Sequence, residues 1–517
     1  MSSDILQVLI AMVCYIAFII GIGIYFMKRA NKSSEEFFLG GRSLGPWVAA
    51  FSAEASDMSG WLLMGLPGVA YWCGLADAFW TALGLALGTY INWLVVAKRL
   101  RNYSVVAGNA ITLPDFFSNR FRENKKHIML VASVFILVFF TVYAASCFVT
   151  CGKLFSTLFG LDYTLMMIVG AIFIVIYTFL GGFLAESVSD FVQAIVMVFS
   201  LCVIVLAGVA SAGGFDVVIE NARAIPGFVE FFGIAQPDVI DGVQQLSGGS
   251  PIFGARGSYG FITVVSTMAW GLGYFGMPQV LLRFMAIRDA KELTKSRRIA
   301  TVWVIISLTA AVLIGIIGRV LYPSALLTAS SAENIFIVMS NSMLPPLFAG
   351  IVMAGILAAT ISSSDSYLLI ASSAVSKNIY QGITKMNATD KQVMNVSRIT
   401  LILVAIIGMI IALDENSVIF TIVSFAWAGF GATFGPLLIF SLFWKRINRA
   451  GALAGMISGA GVVFIWKLLI KPIGGIFGIY ELLPAFIVSC ICIVLVSLAT
   501  AAPSKELCDD FDEAKAM

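Results

Sequence analysis

Residues 53–68 read AEASDMSGWLLMGLPG. Glu54 and Asp57, the hydroxyls of Ser56 and Ser59 with Ser52 just before them, and a tail rich in glycine with Pro67 all stand in an otherwise apolar stretch. What they are for depends on the solvent around the chain. Hydrophobic residues make up 60% of the 517 positions and charged residues 12%, with a mean hydropathy of +0.96. A water-soluble domain carries about 25% charged residues. This chain has too little polar surface to face water all round, so its solvent is a bilayer.

Apolar runs of about 20 residues recur from end to end, each long enough as a helix to cross a hydrocarbon core about 30 Å thick. About thirteen such runs predict an all-α polytopic membrane protein with a single transport domain over 1–517. A barrel is excluded because the runs do not alternate, and lipid tolerates no open sheet edge. Basic residues cluster on alternate connections: Lys28, Arg29, Lys32 and Arg42; Lys98 to Arg101 with Arg120 to Lys126; Arg283 to Arg298; Lys377 to Arg398; and Lys445 to Arg449. The 213–257 connection carries more acid than base. By the positive-inside rule the N-terminus is outside and the C-terminus cytoplasmic. The first run lacks the basic flank and cleavage pattern of a signal peptide. Eight cysteines without a C-x-x-C pair and one histidine make a metal centre or disulfide framework a poor reading. Nothing points to nucleic acid, an obligatory protein partner or a catalytic dyad, and the chain reads as not an enzyme. GALAGMISGAG at 451–461 is read as close helix packing.

Within the second run a buried carboxylate is costly unless paired, solvated or protonated. Serine and glycine around Asp57 weaken the helix, which predicts a break at Ala55–Gly60. An unwound turn exposes carbonyls that can hold a cation. Either the segment is an ion and substrate site built on Asp57, Ser59 and Gly60, or it is a structural polar network. The seventh run repeats the anomaly in WGLGYFGMPQVLLRF, 270–284, where three glycines and Pro278 predict a break near Gly273–Pro278. Trp270 and Tyr274, four apart, share a helix face and would cover a ligand or simply pack.

Five runs separate the two breaks, so the expected organisation is a peripheral first span (5–27), a five-helix half (45–212), an extracellular connection (213–257), an inverted second half (258–443), two peripheral spans (450–500) and a cytoplasmic tail (501–517). In the ninth run, ILAATISSSDSYLL at 356–369 makes every face of one turn polar. Serines in such helices often bond the carbonyl one turn back; four together with Asp365 suggest more. Sodium favours hard oxygen ligands, so one Na⁺ is expected between the carbonyls of Ala55, Met58 and Ala359 and the hydroxyls of Ser362 and Ser363. Asp190, near the start of the sixth run, reads either as an attractor on the ion path or as a helix N-cap.

GGRSLGPWVAAFSAEASDMSGWLLMGLPG (40–68), NAITLPDFFSNRF (109–121), YTFLGGFLAESVSDFVQA (177–194), MAWGLGYFGMPQVLLRFMA (268–286), GILAATISSSDS (355–366) and FAWAGFGATFGPLLIFSLFWKR (425–446) carry a family likeness. Together they resemble the bacterial sodium/proline symporters of the sodium:solute symporter family, in order and over essentially the whole chain. The resemblance implies a core of discontinuous helices in two inverted five-helix repeats, placed in the bacterial inner membrane. It implies uptake of L-proline coupled to Na⁺, one to one, by alternating access. It assigns coupling to Asp57, recognition to Ser59 and Gly60, the sodium site to Ala55, Met58, Ala359, Ser362 and Ser363, and the proline pocket to Tyr143, Trp270, Tyr274 and Pro278 with Trp61 close by. Arg42 resembles an arginine that influences coupling. Glu54, Glu186, Ser363 and Asp365 depart from the proline-transporter pattern, which has Gly, Val, Thr and Ser there; the added carboxylates raise the question of a second ion position with Asp190. Sodium-coupled symport of another small solute, such as a sugar or pantothenate, is the alternative.

Overall fold

The computed structural model describes residues 3–30 and 33–517. Of the first basic cluster, Lys32 and the side chains of Lys28 and Arg29 lie outside the described residues. The helices that build the body are α1 (Ser3–Phe26), α2 (46–73, interrupted), α3 (Leu75–Val106), α4 (His127–Phe159), α5 (Tyr163–Phe179), α6 (Gly182–Ser211) and α7 (261–286, interrupted). They continue with α8 (Leu293–Leu321), α9 (Pro346–Thr384), α10 (Asp390–Ile411), α11 (Ile419–Phe443), α12 (Arg449–Ile473), α13 (Leu482–Ala499) and a terminal α14 (Lys505–Ala516).

Among the described residues, ten helices are long and apolar enough to cross a membrane, against the thirteen expected. The shortfall falls on α5, which is short, and on α2 and α7, which are broken where serine, glycine and proline interrupt the apolar run. The turn between α5 and α6 lies at Gly182, whose φ of 61° with ψ of −179° ends α5 and starts α6. Left-handed φ of this kind is easy only for glycine.

Of the ten span-length helices among the described residues, α9 and α11 are the most deeply enclosed, while α1, α12 and α13 present apolar stripes outward, Ile487, Ile491, Leu495 and Leu498 on α13 among them. Such a stripe is paired with lipid rather than water. Close approach inside depends on small residues. Gly84 and Gly88 of α3 meet the backbone of α7, where a Cβ at Gly88 would stand 2.4 Å from the Gly271 carbonyl oxygen. In the 451–461 stretch, Gly451 and Gly455 of α12 press on α13, and Gly459 presses on the backbone of Ala432 in α11, which is the close packing expected there.

The basic clusters gather at one end of the bundle. There α14 lies against them, with Arg122 paired to Glu506 (2.7 Å) and Asp510 (2.9 Å), Lys445 paired to Asp512, and the buried Phe511 ring beneath the Arg99 guanidinium at 5.0 Å. At the opposite end the 213–257 connection is not helical throughout. A helix, Phe215–Arg223, is followed by antiparallel two-residue strands pairing Gly233–Ile234 with Gly257–Ser258, Val239–Ile240 with Val243–Gln244 and Leu246–Ser247 with Ser250–Pro251. Arg319 of α8 pins it, donating to Gln244 Oε1 at 2.6 Å.

Candidate functional site

The first half of α2 (Pro46–Gly60) ends where expected, but the strain sits on Ser59 rather than on the glycine: φ is 45° and ψ −171°. A serine in that region costs about 1–3 kcal/mol and survives only where its surroundings impose it. Ser59 Oγ recovers part of this by accepting from the Trp61 N–H at 3.2 Å. Gly60 has an ordinary helical φ of −58° and is needed for room, since a Cβ there would meet the Thr150 side chain of α4 at 2.4 Å. A wide turn, Trp61–Gly65, then leads into the second half, Leu66–Cys73.

Facing the break, α9 runs without interruption through 346–373, so only one of the two facing helices is unwound. Its contribution is hydroxyls. Ser362 Oγ donates to the Ala55 carbonyl at 2.9 Å and lies 3.2 Å from the Ala359 carbonyl; Ser363 Oγ donates to the same Ala55 carbonyl at 3.2 Å. Four of the five expected sodium ligands therefore converge, all fully buried. The fifth is differently engaged: the Met58 carbonyl accepts from the Trp61 N–H within the turn. Ser364 of the same polar turn bonds back to the Thr360 carbonyl at 2.6 Å, the ordinary fate of a helical serine.

The Asp57 carboxylate is buried and accepts from Gln279 Nε2 at 3.2 Å, with the Tyr274 phenol beside it. Its backbone carbonyl is approached by two hydroxyls, Tyr143 Oη at 3.4 Å and Tyr367 Oη at 3.5 Å, whose rings stack 4.2 Å apart. Tyr367 follows the serine run and was not singled out in the sequence; its only signal is its position one residue past Ser366.

In α7 the break takes the form of a 3₁₀ segment, Ala269–Gly276, an extended Met277 and a new helix opening at Pro278. Trp270 stacks on Tyr480 (5.1 Å) and lies against Phe420 (5.3 Å) and Trp61 (5.5 Å), Tyr274 lies beside Asp57, and both rings pack on Trp427, Trp270 at 6.0 Å and Tyr274 edge-on at 5.1 Å. Pro278 positions the helix and leaves Gln279 and Arg283 to project from it. The Trp270–Phe420–Tyr480 layer floors a cavity of about 550 Å³ that opens on the side of the 213–257 connection.

Toward the basic end, Arg42 ties three segments together. Nε donates to Asn109 Oδ1 (3.0 Å), Nη1 to Ser104 Oγ (3.1 Å) and the Met285 carbonyl (2.5 Å), and Nη2 to the Ala110 carbonyl (2.7 Å). Backbone bonds between Leu44 and both Ala286 and Arg288 reinforce the junction. Partial burial, with Arg101 nearby, lowers the Arg42 guanidinium to about 10, so it is charged at neutral pH.

Arg283, counted in the sequence among the basic residues of a connecting loop, is instead inside the second half of α7 and fully buried. Its charge is met by Glu186 and, at 3.2 Å, by Asp190. Asp190 stands eight residues past Gly182 and accepts from Ser52 Oγ at 2.7 Å, which removes the N-cap reading. Asp365 receives the Ser366 N–H at 2.8 Å on one oxygen; its other oxygen has no protein partner among the described residues. Glu54 accepts from Trp93 Nε1 at 3.1 Å.

The profile of the sodium:solute symporter family matches residues 37–459. The sodium/proline symporter 2 of Staphylococcus saprophyticus is 41% identical over 515 residues, covering 98% of this chain and 96% of its own, and the sodium/proline symporter of Staphylococcus aureus is 41% identical over 503 residues, covering 96% and 93%. A substrate-bound outward-open Na⁺-coupled sialic acid symporter superposes with a TM-score of 0.77 at 19% identity, covering 96% of this chain and 99% of that one. A closed nucleobase-cation-symport-1 transporter does so at 0.55 and 13% identity, covering 93% and 99%. The last two establish the shared fold of broken-helix transporters. With a family profile over most of its length and relatives at this identity from end to end, the chain belongs to the sodium:solute symporter family.

Proposed function

We propose that this protein takes up L-proline with Na⁺, one for one, by alternating access, and that it lies in the bacterial inner membrane with its N-terminus outside and its C-terminus cytoplasmic. The substrate follows the nearly full-length relatives, and the orientation follows the gathering of basic clusters at one end. The observation that carries the reading is the convergence of the Ala55 and Ala359 carbonyls with the Ser362 and Ser363 hydroxyls beside the break at Ser59.

In this reading Na⁺ binds first, replacing its water with those oxygens and bracing α2 against α9. Proline then enters at the broken α7. Its carboxylate meets N–H groups freed at a half-helix end, its ammonium meets carbonyls and hydroxyls near Asp57, and its ring packs on Trp270 and Tyr274. Tyr143, Ser59 and Gly60 shape the same pocket, with Trp61 over it. The aromatic layer through Trp270 closes it from outside, and the Arg42 junction closes it from inside. Coupling requires that the loaded and empty forms differ in their preference for the two open states. One charge moving through 100 mV supplies about 2.3 kcal/mol, enough for roughly 50-fold accumulation before the sodium gradient is added.

The test is uptake by the purified protein in liposomes under imposed Na⁺, H⁺ or Li⁺ gradients, with a panel of labelled amino acids, sugars and pantothenate. Proline accumulation that needs a sodium gradient is expected. Its absence, in protein shown to be folded and correctly oriented, or preference for another solute, overturns the proposal.

A further inference from the structure

We infer that Arg283 and Glu186 are positioning residues that carry sodium occupancy from α9 to the substrate break in α7; this rests on the sodium-coupled reading above. Arg283 is fully buried and its guanidinium reaches four helices. Nε donates to Ser52 Oγ at 2.9 Å in α2, Nη1 to the Gln279 carbonyl at 3.1 Å in α7, and Nη2 to Glu186, to Asp190 at 3.2 Å in α6 and to Ser366 Oγ at 2.9 Å in α9.

Each neighbour leads to one of the two sites. Ser366 is one turn beyond Ser362 and lies 3.2 Å from its carbonyl, while its hydroxyl donates to Glu186. Ser52 precedes Ala55 by three residues on the same half-helix. On the other side Gln279, whose carbonyl Arg283 holds, donates its amide to Asp57. A bond path therefore joins the turn that bears the sodium hydroxyls to the carboxylate at the break.

The charges are unequal. Three carboxylates, Glu186, Asp190 and Asp365, surround one guanidinium, and one oxygen of Asp190 and one of Asp365 have no protein partner among the described residues. Buried ionisable groups in a membrane protein are costly unless paired, and they mark ion pathways. A monovalent cation at the Ala55–Ser362 oxygens would stabilise the ionised form of these carboxyl groups. Filling that position relieves the repulsion and lets Arg283 hold Glu186, Ser366 and Gln279 in register. Glu186 and Asp365 are the members of this arrangement that the proline-transporter pattern lacks, and the chain should bind Na⁺ more tightly than a version without Glu186. Coupling of this kind is a shift shared between sites, and it is reciprocal.

Glu186→Gln keeps the size of the side chain and its acceptor oxygen while removing the charge. Radioactive sodium binding to the purified protein without proline, and proline binding at saturating sodium, are measured on wild type, Glu186→Gln, Glu186→Asp and Ser366→Ala. The sodium concentration for half-saturation should rise about tenfold in Glu186→Gln, within the usual range of coupling between sites, and should recover in Glu186→Asp. Proline affinity at saturating sodium should fall about fivefold or more in Glu186→Gln, because sodium is then bound but its occupancy no longer reaches the break in α7. Combining Glu186→Gln with Ser366→Ala should add little, because both act on one path. Unchanged sodium half-saturation in Glu186→Gln and Ser366→Ala, in protein with wild-type thermal stability, would overturn the inference even if proline uptake slows. A wild type that binds sodium but not proline would overturn the substrate reading instead, and the sodium measurements would still decide this one.

Discussion

Arg42→Lys tests whether the junction at the basic end is a gate. The guanidinium serves four acceptors on three segments, Asn109 Oδ1, Ser104 Oγ and the carbonyls of Met285 and Ala110. An ammonium is a single point donor and can keep about two of them. Each lost bond at a half-buried site is worth about 0.5–1.5 kcal/mol, so the closed arrangement should weaken by about 1–3 kcal/mol. That corresponds to a shift of about 5- to 150-fold in the equilibrium between closed and open at this end. Spin labels at the exposed positions Glu35 and Asp289, placed in a cysteine-free background, report the separation of the segments by pulsed electron resonance in liposomes. The wild type should populate one short distance with sodium present. Arg42→Lys should move a large share of the molecules to a longer one and lower the sodium-driven accumulation ratio. An unaltered distance distribution would refute the gate, because a contact that stabilises only the fold would leave the separation of folded molecules unchanged.

The hydroxyl ligands give a paired expectation: Ser363→Ala should raise the sodium half-saturation of proline binding by about tenfold, the loss of one ion contact of about 1.5 kcal/mol, whereas Ser363→Thr keeps the oxygen and should remain close to wild type. Equal values in Ser363→Ala and wild type would remove Ser363 from the site. Gly60→Ala drives a methyl group into Thr150 and should cost about 1–3 kcal/mol by overpacking, seen as a lower melting temperature and weaker proline binding. Thr150→Ala removes the two nearest atoms and should restore part of both; no rescue would mean that Gly60 acts through its backbone. Trp270→Ala should lower proline affinity about tenfold or more by opening the aromatic layer, with Trp270→Phe as the folded control, since rings of this size dominate contact energetics. Undiminished affinity in titration calorimetry would place the pocket elsewhere.

Much of the site was legible because lipid makes polarity informative. A bilayer leaves few reasons for Asp57, the run Ser362–Ser366 or the glycine and proline of 270–278 to stand within apolar runs, and all three mark the centre of the structure. The placement of Arg283 was not legible. A basic residue close to the end of an apolar run looks like the start of a positively charged loop, and only its long-range partners Glu186 and Asp190, 97 and 93 residues away, reveal it as buried. Tyr367 was overlooked for a related reason, since an aromatic residue after a serine run has the composition of ordinary packing. Trp270 and Tyr274 meet on the Trp427 ring, although the segment that carries them is a 3₁₀ turn rather than the α-helix that a four-residue spacing suggests.

What the sequence determined by itself is the solvent, the helical class, the position of both breaks and the residue types around them. These follow from local energetics: hydropathy, the backbone preferences of glycine and proline, and the cost of a charge in hydrocarbon. The tertiary structure decided which residue at the α2 break bears the strain, which carbonyl each hydroxyl reaches, and which carboxylates share Arg283. Those outcomes depend on distances between segments far apart in the chain, and on competition among several donors for one acceptor. No local preference carries that information.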